Sequence, residues 1–284
     1  MSARKIDEAG GETFAEPNAY KTTHIYPTVR ITPTESAAAT RALANEVPVA
    51  LEFDGSPYAV MMLTPADLED FAVGFALSER IIADAGEIAR IDVRQGSRGI
   101  GIDVRLEKEH SDRLATRRRA IPGQSGCGIC GLTTIEEALP QLTSLTAAPH
   151  ISATALFKAL AALPARQTLN RETGAVHAAS FCSAEGEVLV VREDVGRHNA
   201  FDKVIGHLAR EGIDPASGFA LLTSRCSYEL VQKSVLARIP ILVTISAPTE
   251  LAVAIARATN LTLIALARGD SVLSFNDPFN SLVK

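Results

Sequence analysis

Residues 219–267, FALLTSRCSYELVQKSVLARIPILVTISAPTELAVAIARATNLTLIALA, alternate between two kinds of segment, and that alternation decides the fold. Residues 219–222, 241–245 and 261–267 are short, apolar and rich in β-branched side chains, the composition of strands buried on both faces. Between them, residues 227–238 and 249–259 carry apolar side chains at helical spacing, with Ser227 placed to cap the first helix and Asn260 to end the second. Strand, helix, strand, helix, strand predicts parallel strands joined by right-handed crossovers. The C-terminal part of the chain therefore reads as a three-layer α/β domain.

Working outward, residues 175–181 and 188–191 form a strand pair around Glu185-Gly186, followed by a helix over 199–211 that Gly212 stops and Asn199 is placed to cap. A helix over 152–163 aligns Leu156, Leu160 and Leu163 on one stripe, and a domain over 151–284 is expected to begin with it. The preceding part, residues 21–150, reads as a smaller α+β region, with order beginning near Val47. Val47, Val49, Leu51 and Phe53 alternate up to Asp54-Gly55, and residues 58–63 run apolar, which predicts a hairpin. Thr64-Pro65 then signals a helix start, and Leu68, Phe71, Ala72 and Phe75 carry the helix to about Ile82. A second strand pair sets Ile91 and Val93 opposite Ile100, Ile102, Val104 and Leu106. A short helix is expected over 133–139, where Thr133 and Glu136 make a capping box, then a linker over 140–149. Residues 1–20 are polar and aperiodic, the composition of a disordered tail.

The 284 residues, 46% of them hydrophobic and 21% charged, suffice to bury a core without disulfide staples. A formal net charge of −5 gives no field that favours nucleic acid, and only Arg117-Arg118-Arg119 breaks the acidity. Charges interrupt every apolar stretch well before the roughly 18–20 residues of a membrane span, and no apolar run near the start suggests a secretory signal. Four cysteines, Cys127, Cys130, Cys182 and Cys226, are too few for a disulfide scaffold. The chain thus reads as cytoplasmic, where paired cysteines are more often catalytic or metal-binding than structural.

The pair that matters lies in residues 123–131, GQSGCGICG, with four glycines in nine residues. Such a backbone lets another molecule approach closely. A helix expected just after Cys130, and the arginine run just before the loop, both lower a thiol pKa, and the thiolate is the reactive form. A zinc half-site competes with this reading, but Cys182 and Cys226 are isolated and no second ligand pair follows. Thiol–disulfide exchange and two inert buried cysteines compete as well. The sequence speaks against deaminase chemistry, because no H-x-E or C-x-E carboxylate accompanies the pair. A reactive loop thiol is the favoured reading.

Two further clusters stand out. Residues 192–199, REDVGRHN, follow a strand and open a helix, and Asp194, Arg197 and His198 exceed what a cap needs, although an ordinary surface ion-pair cluster is an open alternative. His177 is balanced between a core and a functional role. If the C-terminal strands are parallel, their carboxyl ends place Ser224 and Arg225, residues 246–249, and residues 267–271 on one edge, the expected locus of a phosphate or nucleotide; simple caps and turns would look the same. No GxGxxG or Walker sequence is present.

In this order the clusters resemble the FdhD family, the accessory sulfurtransferases for formate dehydrogenase. The resemblance is carried by Glu46-Val47-Pro48, Asp67-Leu68-Glu69-Asp70-Phe71-Ala72-Val73-Gly74-Phe75, Cys127-Gly128-Ile129-Cys130-Gly131, His177-Ala178-Ala179, residues 192–199 with Asp202-Lys203, and Ser227-Tyr228-Glu229-Leu230-Val231-Gln232-Lys233. It runs from about Glu46 to Phe275. The resemblance implies a cytidine-deaminase-like α/β fold and a homodimer. It also implies a role, accepting sulfur from a cysteine desulfurase and passing it to the bis(molybdopterin guanine dinucleotide) molybdenum cofactor for formate dehydrogenase. By the same resemblance Cys127 carries the persulfide, and the cofactor-contacting segment falls on Leu266, Ala267, Arg268, Gly269, Asp270 and Ser271. Ala265-Leu266 and Phe275 depart from the Gly-Phe and aromatic hydroxyl of many relatives.

The expected mechanism is attack of the Cys127 thiolate on a donor persulfide. Cys130 then releases the terminal sulfur by attacking the inner one, or shields the loop. Arg225, Arg268 and the helix N-termini hold the guanine dinucleotide phosphates, beside Ser224, Asp194, Arg197 and His198; no resident metal is expected. The rival reading is a non-catalytic cofactor escort whose CxxC is a metal or contact site, and a third is a thiol–disulfide enzyme.

Overall fold

The computed structural model describes residues 21–107 and 141–283. The expected tail, the CxxC loop with Cys127 and Cys130, and the expected helix over 133–139 lie outside the described residues.

The predicted first hairpin forms. β3 (Val47–Phe53) and β4 (Ser56–Leu63) pair antiparallel around Asp54 and Gly55, both with positive φ of 51° and 72°, the backbone that a two-residue hairpin turn needs. β5 (Ile88–Gly96) and β6 (Gly99–Leu106) complete a four-stranded sheet in the order β4-β3-β6-β5. Helix α1 (Leu68–Ser78) covers it, and Phe71 and Phe75 pack onto Val49, Leu51, Phe53, Ile102 and Val104.

Order begins earlier than Val47. β1 (Thr23–Ile31) and β2 (Ser36–Ala44) form an antiparallel ribbon of their own. Its alanine-rich second strand lacks the hydrophobic alternation that would have announced it, because most of the ribbon is exposed. Arg41 ties it to the rest by donating to the Thr173 carbonyl at 2.8 Å.

In the C-terminal part, a two-residue strand β7 (Ile151–Ser152) precedes α2 (Ala153–Arg166), whose first turn Ser152 caps by accepting from the Ala155 N–H. A short α3 (Thr168–Thr173), unannounced by any period, follows. β8 (His177–Ser183) and β9 (Val188–Asp194) pair antiparallel and lead into α4 (Arg197–Glu211). Then come β10 (Gly218–Leu222), α5 (Tyr228–Leu236), β11 (Ile241–Thr244), α6 (Glu250–Ala258) and β12 (Thr262–Ala265). β13 (Leu273–Asn276) and β14 (Leu282–Val283), which pairs with β7, end the chain.

The large sheet runs β13-β12-β11-β10-β8-β9. β10, β11 and β12 are parallel, as expected, while β8, β9 and β13 join antiparallel, so the sheet is mixed. Alternate side chains enter two cores. Ala220, Leu222, Leu242 and Leu263 face α4, α5 and α6; Phe219, Leu221, Ile241, Val243 and Ile264 face α2. Burial on both faces is why these strands read as unbroken apolar runs.

α1 crosses α4 at two glycines. A Cβ on Gly74 would fall onto the Asp202 carbonyl, and one on Gly206 onto the Asp70 carbonyl. The backbones therefore touch, and the small sheet is carried against the helical layer of the large one.

Two helix starts differ from the expectation. Thr64 does not cap α1, which begins at Leu68 after Asp67 in left-handed geometry and ends at Ser78 rather than Ile82. Thr64 is instead bound by residues far along the chain: its N–H donates to Asp194 Oδ2 at 3.0 Å, and its hydroxyl accepts from the Val195 N–H at 3.2 Å. Asn199 does not cap α4, which begins two residues earlier. Its amide donates to the Met62 carbonyl and to Asp194 Oδ1, each at 3.0 Å.

Candidate functional site

Three parallel strands deliver three loops to one rim of the large sheet. After β10 come residues 223–227, after β11 residues 245–249, and after β12 residues 266–271. The loops are stitched in series by backbone hydrogen bonds. Cys226 N–H donates to the Ala247 carbonyl at 3.2 Å, and Thr249 N–H returns to the Cys226 carbonyl at 2.9 Å. Leu266 N–H donates to Ser246 at 3.3 Å, Ala267 N–H to Thr244 at 3.1 Å and Arg268 N–H to Ser271 at 2.8 Å. Leu266 leaves β12 with φ of 51°, which turns the chain along the rim.

The side chains divide sharply. Arg225, Arg268, Gly269, Asp270 and Ser271 are exposed, whereas Ser224 and Ala267 are buried and Leu266 is half-buried. Ser271 donates to Asp270 at 3.1 Å. Two helix N-termini open beside these loops. Thr249 accepts from the Ala252 N–H and so caps α6. Ser227 occupies the N-cap position of α5 without capping it; its hydroxyl faces His198 Nε2 at 3.5 Å.

That contact joins the second cluster to the third. His198 lies in the first turn of α4, and its Nε2 is 3.8 Å from Glu229 Oε2 in the first turn of α5. Burial pushes the Glu229 carboxyl up, but the pull of His198 and Ser227, with the helix backbone, prevails and holds it down at about 2. His177, at the start of β8, is half-buried, and burial together with Arg197 and His198 lowers its imidazole from the ordinary value. Glu229 lies within the 227–233 segment that carries the family resemblance, but sequence reasoning assigned it no role of its own.

Asp194 is a correction. It is fully buried, and its oxygens accept from Lys203 Nζ at 2.7 Å, Gly196 N–H at 2.8 Å, Thr64 N–H and Asn199. With every partner internal, it frames the site rather than touching a ligand. Lys203, itself fully buried, also donates to the Thr64 carbonyl at 3.0 Å. Arg192 and Glu193 are engaged as well. Arg192 Nε donates to Asp70 at 2.8 Å, and Glu193 receives the first N–H groups of α3 at 2.8 Å. Of residues 192–199, His198 reaches a rim loop at Ser227, while Arg197 is half-buried near His177.

The two cysteines in the described residues are poor nucleophiles. Burial pushes the Cys182 thiol up to about 12, and burial with the nearby Glu229 charge does the same for Cys226. Among the described residues no group of three or more His, Cys, Asp or Glu side chains is arranged to hold a metal, and no helix is long and apolar enough to cross a membrane.

A family profile described as FdhD/NarQ matches residues 44–280. A sulfur carrier protein FdhD from Variovorax paradoxus is 46% identical over 237 residues, covering 84% of this chain and 85% of the relative. One of the same description from Xanthomonas euvesicatoria is 48% identical over 243 residues, 86% of each. A crystal structure from Desulfotalea psychrophila, described as a candidate formate dehydrogenase accessory protein, superposes with a TM-score of 0.73 at 24% identity, covering 91% of this chain and 98% of that one; at that identity the likeness speaks for the fold.

Proposed function

The chain belongs to the FdhD/NarQ family, and from that premise we propose that it is a sulfur carrier for formate dehydrogenase maturation, taking sulfane sulfur onto Cys127 from a cysteine desulfurase. The sulfur is then passed to the bis(molybdopterin guanine dinucleotide) molybdenum cofactor, which is cargo here and not a resident group. The observation that carries this reading is the stitched rim. It presents Arg225 and Arg268 in the open and two helix N-termini, with His198 reaching Ser227 at the start of α5, a surface suited to the phosphates of a guanine dinucleotide. The raised thiols of Cys182 and Cys226 leave the sulfur chemistry to the CxxC pair.

In the first step the Cys127 thiolate attacks the outer sulfur of the donor persulfide. The donor's S–S bond breaks, its cysteine leaves as thiolate, and Cys127 becomes the persulfide. Incubation with a desulfurase and cysteine should add about 32 Da, one sulfur atom, to the peptide carrying Cys127. A Cys127→Ala chain that accepts no sulfur yet still supports active formate dehydrogenase would leave the escort reading in its place. The exposed arginines are tested separately: Arg225→Ala and Arg268→Ala should each weaken guanosine diphosphate binding, with a smaller dependence on salt. A homodimer is part of the same proposal, and analytical ultracentrifugation reads it directly.

A further inference from the structure

The β1–β2 ribbon divides its side chains by charge. Its register runs unbroken from Thr23 opposite Ala44 to Ile31 opposite Ser36, so alternate residues of each strand share a face with the residues paired to them. One face carries His24, Arg30 and Arg41, and Arg41 turns it toward the body by donating to the Thr173 carbonyl. The other carries Ile25, Pro27, Val29 and Ile31 on β1, with alanine, serine and threonine opposite them on β2, and none of its ten residues is charged. Ile25 is 67% exposed, Val29 60% and Ile31 76%. With Tyr26 and Leu43, the ribbon holds five of the eleven exposed large hydrophobics among the described residues, a concentration rather than the scatter normal on a monomer. A two-stranded ribbon is marginal in water unless a face is packed, and here the apolar face stands open.

Resting on the homodimer proposed above, we propose that this face is where two copies of the chain meet, ribbon stacked on ribbon about a two-fold axis. Charge singles out a second copy. In an isologous contact the residues near the axis meet their own counterparts, so a charge there would face its like. Ten positions without a charge, in a chain that is 21% charged, meet that demand. A partner of different sequence imposes no such demand, and a charged partner finds nothing to pair with on this face. Extent sets the strength. Two strands of nine residues give a footprint on the order of 300 Å², well under the roughly 800 Å² per partner of a standard interface. A contact of that size fits a reversible dimer that separates on dilution, not a permanent one. The ribbon also lies ahead of the family-matched residues 44–280 except at Ala44, so the sulfur carriage shared with the relatives does not account for its open face.

The test is sedimentation velocity of the full chain from about 1 to 100 μM, with Val29→Lys, Val29→Glu and, on the opposite face, Thr28→Lys. The wild type should dimerise reversibly within that range. Val29→Lys and Val29→Glu should each weaken the dimer by at least about tenfold, because they set like charges across the axis. An equimolar mixture of the two should restore it, and Thr28→Lys should leave it unchanged. Val29 is exposed, so thermal melts of the variants should match the wild type. If both Val29 variants associate as the wild type does, the ribbon contact is overturned and the homodimer stands on another surface. A mixture that stays apart overturns the contact as well. A wild-type chain that is monomeric throughout overturns the contact and the homodimer together; if Val29→Lys then also slows sulfur uptake from the desulfurase, the face belongs to the sulfur donor.

Discussion

Asp194 and Lys203 form an ion pair at 2.7 Å with neither side chain exposed, and that burial governs what substitution there does. Removing one partner strands the other charge away from water. Lys203→Met is expected to cost about 3–5 kcal/mol of unfolding free energy, read by urea denaturation, and making Asp194 apolar as well should not restore it, because Thr64 N–H, Gly196 N–H and Asn199 would then lose their acceptor. The cost arises in the frame and not at the rim, so surviving Lys203→Met protein should keep its nucleotide affinity. This is the residue that sequence reasoning placed wrongly. Asp194, Arg197 and His198 look alike as polar residues at a strand-to-helix junction, but their side chains part company there. Nothing local in the chain says that Thr64 and Asn199 will close around the first of them. His198 and the exposed residues of 225 and 268–271 were legible because helix N-termini and strand ends fall where topology puts them. Glu229 stood inside the segment 227–233 that carries the resemblance, yet as an ordinary first-turn acid it drew no role of its own.

At the scale of elements, the contact between α1 and α4 is set by two absent side chains. Gly74→Ala would drive a Cβ into the Asp202 carbonyl, and because the obstacle is backbone, no rotamer relieves it. Such overpacking is expected to cost at least about 2 kcal/mol, measured as a lowered urea midpoint with the slope unchanged. Asp202 also accepts from Ser78 of α1 at 2.7 Å and from Lys233 of α5 at 2.8 Å, so the displacement would spread to three helices. The strands of the large sheet were readable because their apolar runs feed two cores, and the β3–β4 hairpin because Asp54-Gly55 takes the positive φ its turn requires. The β1–β2 ribbon was not readable, since its alanine-rich second strand writes no hydrophobic period. Thr64 misled for the opposite reason: a good cap residue was claimed by a tertiary partner instead.

For the molecule as a whole, two buried thiols tie stability to alkaline pH. Cys182 and Cys226 hold their protons to about 12 in the folded chain, whereas in the unfolded chain they titrate near the ordinary 9. The folded state therefore binds more protons across that interval, and the unfolded state gains as protons leave. The contribution is complete below about pH 9 and is lost as pH climbs toward about 12. Unfolding free energy should fall over that window, and a Cys182→Ala, Cys226→Ala chain should show a shallower fall. Acid has the reverse relation to Glu229. Its folded value of about 2 lies below the ordinary 4.5, so its share of stability is present above about 4.5 and disappears as pH drops toward 2.

The glycine crossing also constrains how the chain can drift over generations. Where two side chains clash, a smaller neighbour can repair the damage. Where a side chain meets a carbonyl, there is nothing to trim. A lineage that acquires alanine at 74 or 206 has no single compensating change open to it at the opposite position, and reversion is its shortest way back.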